Sequence, residues 1–324
     1  MPRRGAAVAG ALLLLGVALA AAGCGLGPGS KVGSVDLTVT RDFGATKLVE
    51  ASGEANESDT VMRFLEGETE IETRYGGGYV KSIDGLEESE RGGHPYDWFF
   101  WVNGVISPTG AAEVPLEGGE KIWWDIHNWA ASEGAPAVVG SWPAPFTTGW
   151  EGHAPVVVVE CEGGGAACGT VTKALEGEGV KVASGGAGEG GGGSAGSGSA
   201  PSKSAIRVLV GPWSQVRSDA AVGLVDKGPG ESGIYAEFES SQGSERLVGL
   251  DEDGDKARTF GTNAGLVAAT RRFEGPPVWL VTGATDAGVQ AAAAALDTAD
   301  LRDHFAVASE AGTVTPLPLS SGSR

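Results

Sequence analysis

The chain is 324 residues long, 41% hydrophobic, and carries a formal charge of −19. That length accommodates two domains, each with a core of its own. The acidity excludes a nucleic-acid-binding class, because such a surface repels polyphosphate, and it favours neutral or cationic ligands over anionic ones. The chain opens on Arg3 and Arg4, followed by an apolar run from Ala6 to Ala22. Positive charge, a short apolar stretch and then small residues make an export signal, and the run is too short for a comfortable span of ~20 residues.

Ala21-Ala22-Gly23-Cys24 ends that run and resembles a bacterial lipobox. The resemblance implies a signal peptide over 1–23, lipidation of Cys24, and a tether over 24–33. Localisation is then extracytoplasmic, with the protein held to the cell membrane by acyl chains, two or more of which anchor stably. With Cys24 so used, Cys161 and Cys168 remain as an even pair in an oxidising compartment and read as a disulfide. No second Cys or His pair stands at zinc-like spacing, so a metal role for the two is not expected.

Residues 34–130 read as one unit. "SVDLTVTRDF" alternates as a half-buried strand, and "TKLVEASG" is its hairpin partner. "ESDTVMRFLEG" offers Ser58 or Asp59 as N-cap of a short helix that ends at Gly67. "TEIETRYGGGYVKSIDG" reads as strand, glycine loop, strand, and "DWFFWVNGVIS" and "EKIWWDIHNW" supply two more strands. Strand, strand, helix and then several strands is a β-grasp order. Asn103-Gly104 is a two-residue hairpin turn of type I′.

Residues 131–154, rich in Pro and Trp, form an ordered connector. Residues 155–312 read as an α/β domain of strand–helix–strand units: "APVVVVEC", "GTVTKALEGEG", "VKVAS", then "AIRVLVGPW", helix "SQVRSDAAVGLV" and "GIYAEFE". A hairpin "RLVGLDEDGDKARTF", a helix "NAGLVAATRRF" and a last strand–helix–strand passage from "PPVWLVTGA" to "AVAS" complete it. Residues 184–204 are Gly/Ser-rich and read as a disordered insertion in that domain or a flexible linker between two. Residues 313–324 are expected as a disordered tail. The expected fold class is thus α+β, a β-grasp domain followed by an α/β domain.

Chemistry-bearing motifs are few. "DEDGD" (251–255) lacks the glycine position and distal glutamate of a calcium loop, and "TGATDAG" lacks phosphate-loop spacing. No Ser/His/Asp or Cys/His constellation stands out, so the chain is not expected to be an enzyme and needs no cofactor. The aromatic residues are the better lead, since seven of nine tryptophans lie between Trp98 and Trp150. In strand geometry Trp98, Phe100 and Val102 share one face with Ile122, Trp124 and Ile126. Phe99, Trp101, Trp123, Asp125, His127 and Trp129 share the other. That second face either binds a ligand or docks the connector or the second domain.

The motifs "SDTVMRFL", "TRYGGGYVKSIDG", "DWFFWVNGV" and "VPLEGGEKIWWDIH" make residues 34–130 similar to the transcobalamin-type C-terminal β-grasp domain, which also ends intrinsic factor and recurs in bacterial surface lipoproteins. The resemblance implies a ligand-binding lipoprotein that captures cobalamin or another small cofactor for uptake, beside a membrane transporter component. The ligand would lie on the open aromatic face, against Trp101, Trp123, His127 and Trp129 and against Tyr79 of the glycine loop. The alternative is a surface scaffold that offers the same face to a protein.

Overall fold

The computed structural model describes residues 29–163, 165–184, 204–241 and 243–320. The signal peptide, Cys24 and nearly all of the Gly/Ser-rich segment lie outside these residues.

The N-terminal half opens with the hairpin β1 (Lys31–Arg41) and β2 (Thr46–Asn56), followed by helix α1 (Val61–Glu68). Short strands β3 (Ile71–Arg74), β4 (Tyr79–Ile83), β5 (Leu86–Glu87) and β6 (Ser89–Arg91) come next. The half closes with β7 (His94–Val102), β8 (Val105–Ile106) and β9 (Lys121–Asn128). Its main sheet runs β2-β1-β9-β7-β6, with β8 paired to β7, and β3-β4-β5 form a small separate sheet. The two central strands, β1 and β9, are parallel, and their neighbours pair antiparallel. The N-cap of α1 is Thr60, whose hydroxyl accepts from Arg63 N at 3.3 Å, not Ser58 or Asp59. From α1, Val61, Met62, Phe64 and Leu65 pack on Val35, Leu37 and Val39 of β1 and on Trp98, Ile122, Trp124 and Ile126. Alternation therefore sends the even residues of β9 to the helix and the odd ones to the opposite face.

Asn103 and Gly104 both hold positive φ, 53° and 77°, and Val102 pairs with Val105 across them. Asn103 does more than turn the chain. Its buried amide donates to Gly149 O at 3.0 Å, and its side-chain oxygen accepts from Lys121 N at 2.9 Å. One side chain thus ties the hairpin to β9 and to the connector.

The C-terminal half contains β10 (Val157–Cys161), helix α2 (Gly165–Gly177), β11 (Val182–Ser184) and β12 (Ile206–Pro212). Single helical turns α3 (Trp213–Val216) and α4 (Pro229–Ser232) lead to β13 (Ala236–Ser241), β14 (Ser244–Leu250) and β15 (Lys256–Thr259). Then come β16 (Gly265–Thr270), β17 (Val278–Gly283), helices α5 (Asp286–Ala294) and α6 (Thr298–Leu301), β18 (Ala306–Glu310) and β19 (Thr313–Leu317). A seven-stranded sheet runs β11-β10-β12-β17-β16-β18-β19, and β13-β14-β15 form a three-stranded antiparallel sheet. Cys161 and Cys168 form a disulfide between the end of β10 and α2, with Cα atoms 6.0 Å apart.

This architecture overturns the expected α+β class with its α/β domain of strand–helix–strand units. The described residues are β-rich, 42% strand against 19% helix, spread over several sheets. "NAGLVAATRRF", expected as a helix, contains β16, whose six residues are all buried between β17 and β18. A short continuous apolar run has no periodicity that distinguishes buried strand from helix, and burial on both faces of a sheet decided it. "SQVRSDAAVGLV" yields only the turn α3 and a 3-10 segment over Val222–Lys227. After α5 and α6 the chain enters β18, which pairs antiparallel with β16, so β17 and β18 run in the same direction with β16 inserted between them. The stretch 313–324, expected as a disordered tail, contributes edge strand β19.

The connector is ordered and apolar. Its Trp142 and Phe146 pack against Trp279 of β17, at 5.8 and 4.8 Å between ring centroids. Arg271, almost wholly buried, pairs with connector Glu151 at 2.6 Å. The two halves therefore meet over a packed junction.

Candidate functional site

Strand register lays out the outer face of the N-terminal sheet. β1 pairs Asp36 with Ser52, Thr38 with Glu50 and Thr40 with Lys47 on one side. On the other side it pairs Asp36 with Lys121, Thr38 with Trp123 and Thr40 with Asp125. Three rows of three side chains thus face away from the helix: Ser52–Asp36–Lys121, Glu50–Thr38–Trp123 and Lys47–Thr40–Asp125. Within each row the strands stand ~4.8 Å apart.

The third row continues into a buried polar network. Asp125, wholly buried, accepts from Thr40 Oγ1 at 2.5 Å, Phe43 N at 3.0 Å and Gly44 N at 2.9 Å. His127 Nδ1 lies 2.8 Å from the same carboxylate, and Trp123 Nε1 donates to Thr40 Oγ1 at 2.7 Å. Asp42, Phe43 and Gly44 all hold positive φ, which turns two consecutive amides onto Asp125. The carboxylate thereby fixes the turn between β1 and β2.

The C-terminal half covers this end of the face. Phe305 inserts edge-on among Phe43, Trp101, Trp123 and His127, with centroid distances of 5.1–5.3 Å. Tyr235, Val248 and Leu250 complete the contact, together with Ala135 and Val138 of the connector. Gly44 meets the backbone of Asp303 so closely that a Cβ there would collide with Asp303 O. The open aromatic platform expected from the sequence is therefore absent: Trp101, Trp123 and His127 are brought together, yet they are 0%, 3% and 1% exposed. Their rings meet the edge of Phe305, a neighbouring part of the same chain.

The other two expected contacts stand apart. Tyr79 is half-buried on β4, and its hydroxyl donates to Asp97 Oδ1 at 2.8 Å. Burial and the neighbouring carboxylates of Asp97 and Glu88 raise its pKa. Trp129 is half-buried past the end of β9, its Nε1 without a hydrogen-bond partner among the described residues.

What remains open is the other end of the sheet face. There a cleft of about 350 Å³ is walled by the first two rows and by Gly140, Ser141, Arg302 and Asp303 from beyond the sheet. Lys121 is its half-buried base, and Nζ donates to Trp142 O at 2.8 Å. Burial holds this ammonium below its ordinary pKa, with Asp36 acting in the opposite direction. Lys47 bridges Glu50 at 3.1 Å and Asp303 at 2.9 Å, and Arg302 reaches Glu50 at 3.4 Å, so charge pairs cross the junction beside the cleft. Burial works against the Lys47 charge, but hydrogen bonds to Asp303 and Glu50 prevail and raise its pKa.

Of the expected contacts, only Trp123 lines this cleft. Lys121, Asp36, Glu50, Arg302 and Asp303 were missed, although the outward alternation of Asp36, Thr38 and Thr40 was legible in β1. Other hollows among the described residues include one of about 690 Å³ beside Phe43, Tyr96 and His304 and one of about 330 Å³ beside Asn103 and Trp150. Among the described residues, no group of three or more His, Cys, Asp or Glu side chains could hold a metal ion.

Residues 58–128 match the family described as a domain of unknown function, DUF4430. That match takes in α1 through β9, including Lys121, Trp123, Asp125 and His127. No curated protein matches the chain. Among solved structures, a crystal structure from Ruminococcus gnavus of a "putative metal binding protein" is similar at a TM-score of 0.23 and 14% identity. The alignment covers 30% of this chain and 97% of that one.

Proposed function

We propose that this protein is a non-catalytic, extracytoplasmic binding protein that takes a small polar molecule in the cleft between the outer face of the N-terminal sheet and the Arg302–Asp303 segment. The carrying observation is convergence. Cross-strand register alone places Asp36, Thr38, Lys121 and Trp123 on one surface, and the distant chain supplies the facing wall. Small-molecule sites favour such junctions, and a volume of about 350 Å³ lies within their usual range of roughly 300–1,000 Å³.

The Cys161–Cys168 disulfide agrees with export to an oxidising compartment, and the lipobox-like sequence at Cys24 supplies an anchor. A surface-held receptor feeding a membrane transporter is the role that this combination suits. Cobalamin is left out of the reading, because the rings that would stack on a corrinoid are filled by Phe305 and the cleft suits a smaller molecule. The filled aromatic face also disfavours a scaffold working through it.

The test is mass spectrometry of small molecules released from the purified mature protein, repeated on the Asp36→Asn/Lys121→Met double variant. A polar molecule that co-purifies with the parent and is lost from the folded double variant is the expected result. Retention of the same molecule by both proteins would move the site elsewhere.

A further inference from the structure

The charges lining the cleft do not all find partners. Five line it: Asp36, Glu50, Asp303, Lys121 and Arg302. Glu50 is shared by Lys47 and Arg302, and Asp303 is held by Lys47. Two groups are left over, and they are register neighbours. Asp36 is exposed and makes no ion pair within 4.0 Å among the described residues. Lys121 directs its ammonium to the neutral Trp142 carbonyl at 2.8 Å and keeps two further N–H donors. The pair does not close on itself, although the strands that carry it are hydrogen-bonded neighbours.

We infer that the cleft selects a small bipolar ligand, one carrying an ammonium and a carboxylate a few bonds apart, in the manner of a free amino acid. The inference rests on the reading of this cleft as the ligand site and names the chemistry that the site selects. Asp36 receives the ligand's ammonium, and Lys121 receives its carboxylate, with Arg302 at the rim adding positive charge. A bipolar ligand gives both groups a counter-charge, whereas a monopolar one leaves either the half-buried Lys121 or the exposed Asp36 without one. The hydroxyls of Thr38, Ser52 and Ser141 line the same walls and add neutral hydrogen-bonding capacity. The edge of Trp123 on the same wall leaves room for a short apolar side group.

The experiment is titration calorimetry of the full mature protein against free amino acids of each side-chain class, with N-acetyl and carboxamide derivatives of each as monopolar controls. At least one free amino acid is expected to bind, with both of its blocked derivatives weaker by tenfold or more. Asp36→Asn should abolish the penalty for N-acetylation, and Lys121→Met the penalty for the carboxamide. Arg302→Gln, at an exposed position, serves as a second basic variant should Lys121→Met fail to fold, and weakens the carboxylate preference. Equal binding of free and blocked probes overturns the inference, as does the absence of binding by every free amino acid. In either case, a different co-purified molecule that is lost from the Asp36/Lys121 double variant would leave the cleft standing as the site.

Discussion

Phe305 stands edge-on to His127, ring centroids 5.2 Å apart and planes at 84°, although 178 positions separate the two in the chain. The contact is the centre of the junction, since Trp101, Trp123 and Phe43 ring the same side chain. Phe305→Ala should cost about 3–5 kcal/mol, the range for deleting a buried aromatic. Urea unfolding followed by tryptophan fluorescence measures it, and a native-state red shift is expected as Trp101 and Trp123 gain water. An unchanged midpoint would mean that the halves are held together elsewhere.

Asp125 should be still less replaceable. Its carboxylate satisfies two backbone amides and a hydroxyl and lies against His127 Nδ1. Asp125→Ala takes this acceptor from the Phe43 and Gly44 amides and leaves the Thr40 hydroxyl only the Trp124 carbonyl at 3.3 Å, and each buried donor left unsatisfied costs about 1–3 kcal/mol. Because the β1–β2 turn loses its anchor, amide exchange at Phe43 and Gly44 should accelerate more than exchange in β1. Uniform acceleration across the sheet would point to global destabilisation only.

Acidification should weaken the protein through His304. Burial pushes this imidazole below its ordinary value of 6.5, with Asp303 and Asp300 acting in the opposite direction. The folded protein therefore holds His304 neutral at a pH where the unfolded chain has already taken up a proton. Unfolded chains bind more protons in that interval, so stability falls as pH drops through about 6.5 and levels off below the folded-state value. Thermal midpoints from pH 7.5 to 5 should decline less in His304→Asn than in the parent. Parallel profiles for the two proteins would assign the decline to other groups.

The disulfide should contribute independently of the junction. Cys161 and Cys168 close a short loop between β10 and α2. Replacing both by Ser is expected to cost about 2–4 kcal/mol, mostly by freeing the unfolded chain. Chemical denaturation in the absence of reductant measures the loss. Binding in the proposed cleft should be unchanged, because neither cysteine lines it, and a change would show that the two regions are coupled.

Much of the N-terminal half was legible because alternation has a simple physical source. Val35, Leu37 and Val39, like Ile122, Trp124 and Ile126, recur every second residue because strand side chains alternate between faces. The Asn103-Gly104 turn was legible because few residue pairs adopt two positive φ values without strain. The helical expectation for "NAGLVAATRRF" failed where that signal vanishes, in a strand buried on both faces. The aromatic face was read as open to a ligand for a different reason. Aromatic residues on an outward face signal that something covers it, but they do not say whether the cover is a ligand or another part of the chain.

By itself the sequence determined the acidity, the pairing partners available to Cys161 and Cys168, the alternating faces of β1 and β9, and the hairpin turn between β7 and β8. Each is a property of neighbouring residues or of composition. Only the tertiary structure decided that Phe305 would occupy the aromatic face and that Arg302 and Asp303 would wall the cleft beside Lys121. Those residues lie far from β9 in the chain, and no local preference encodes a contact closed by packing across such a distance.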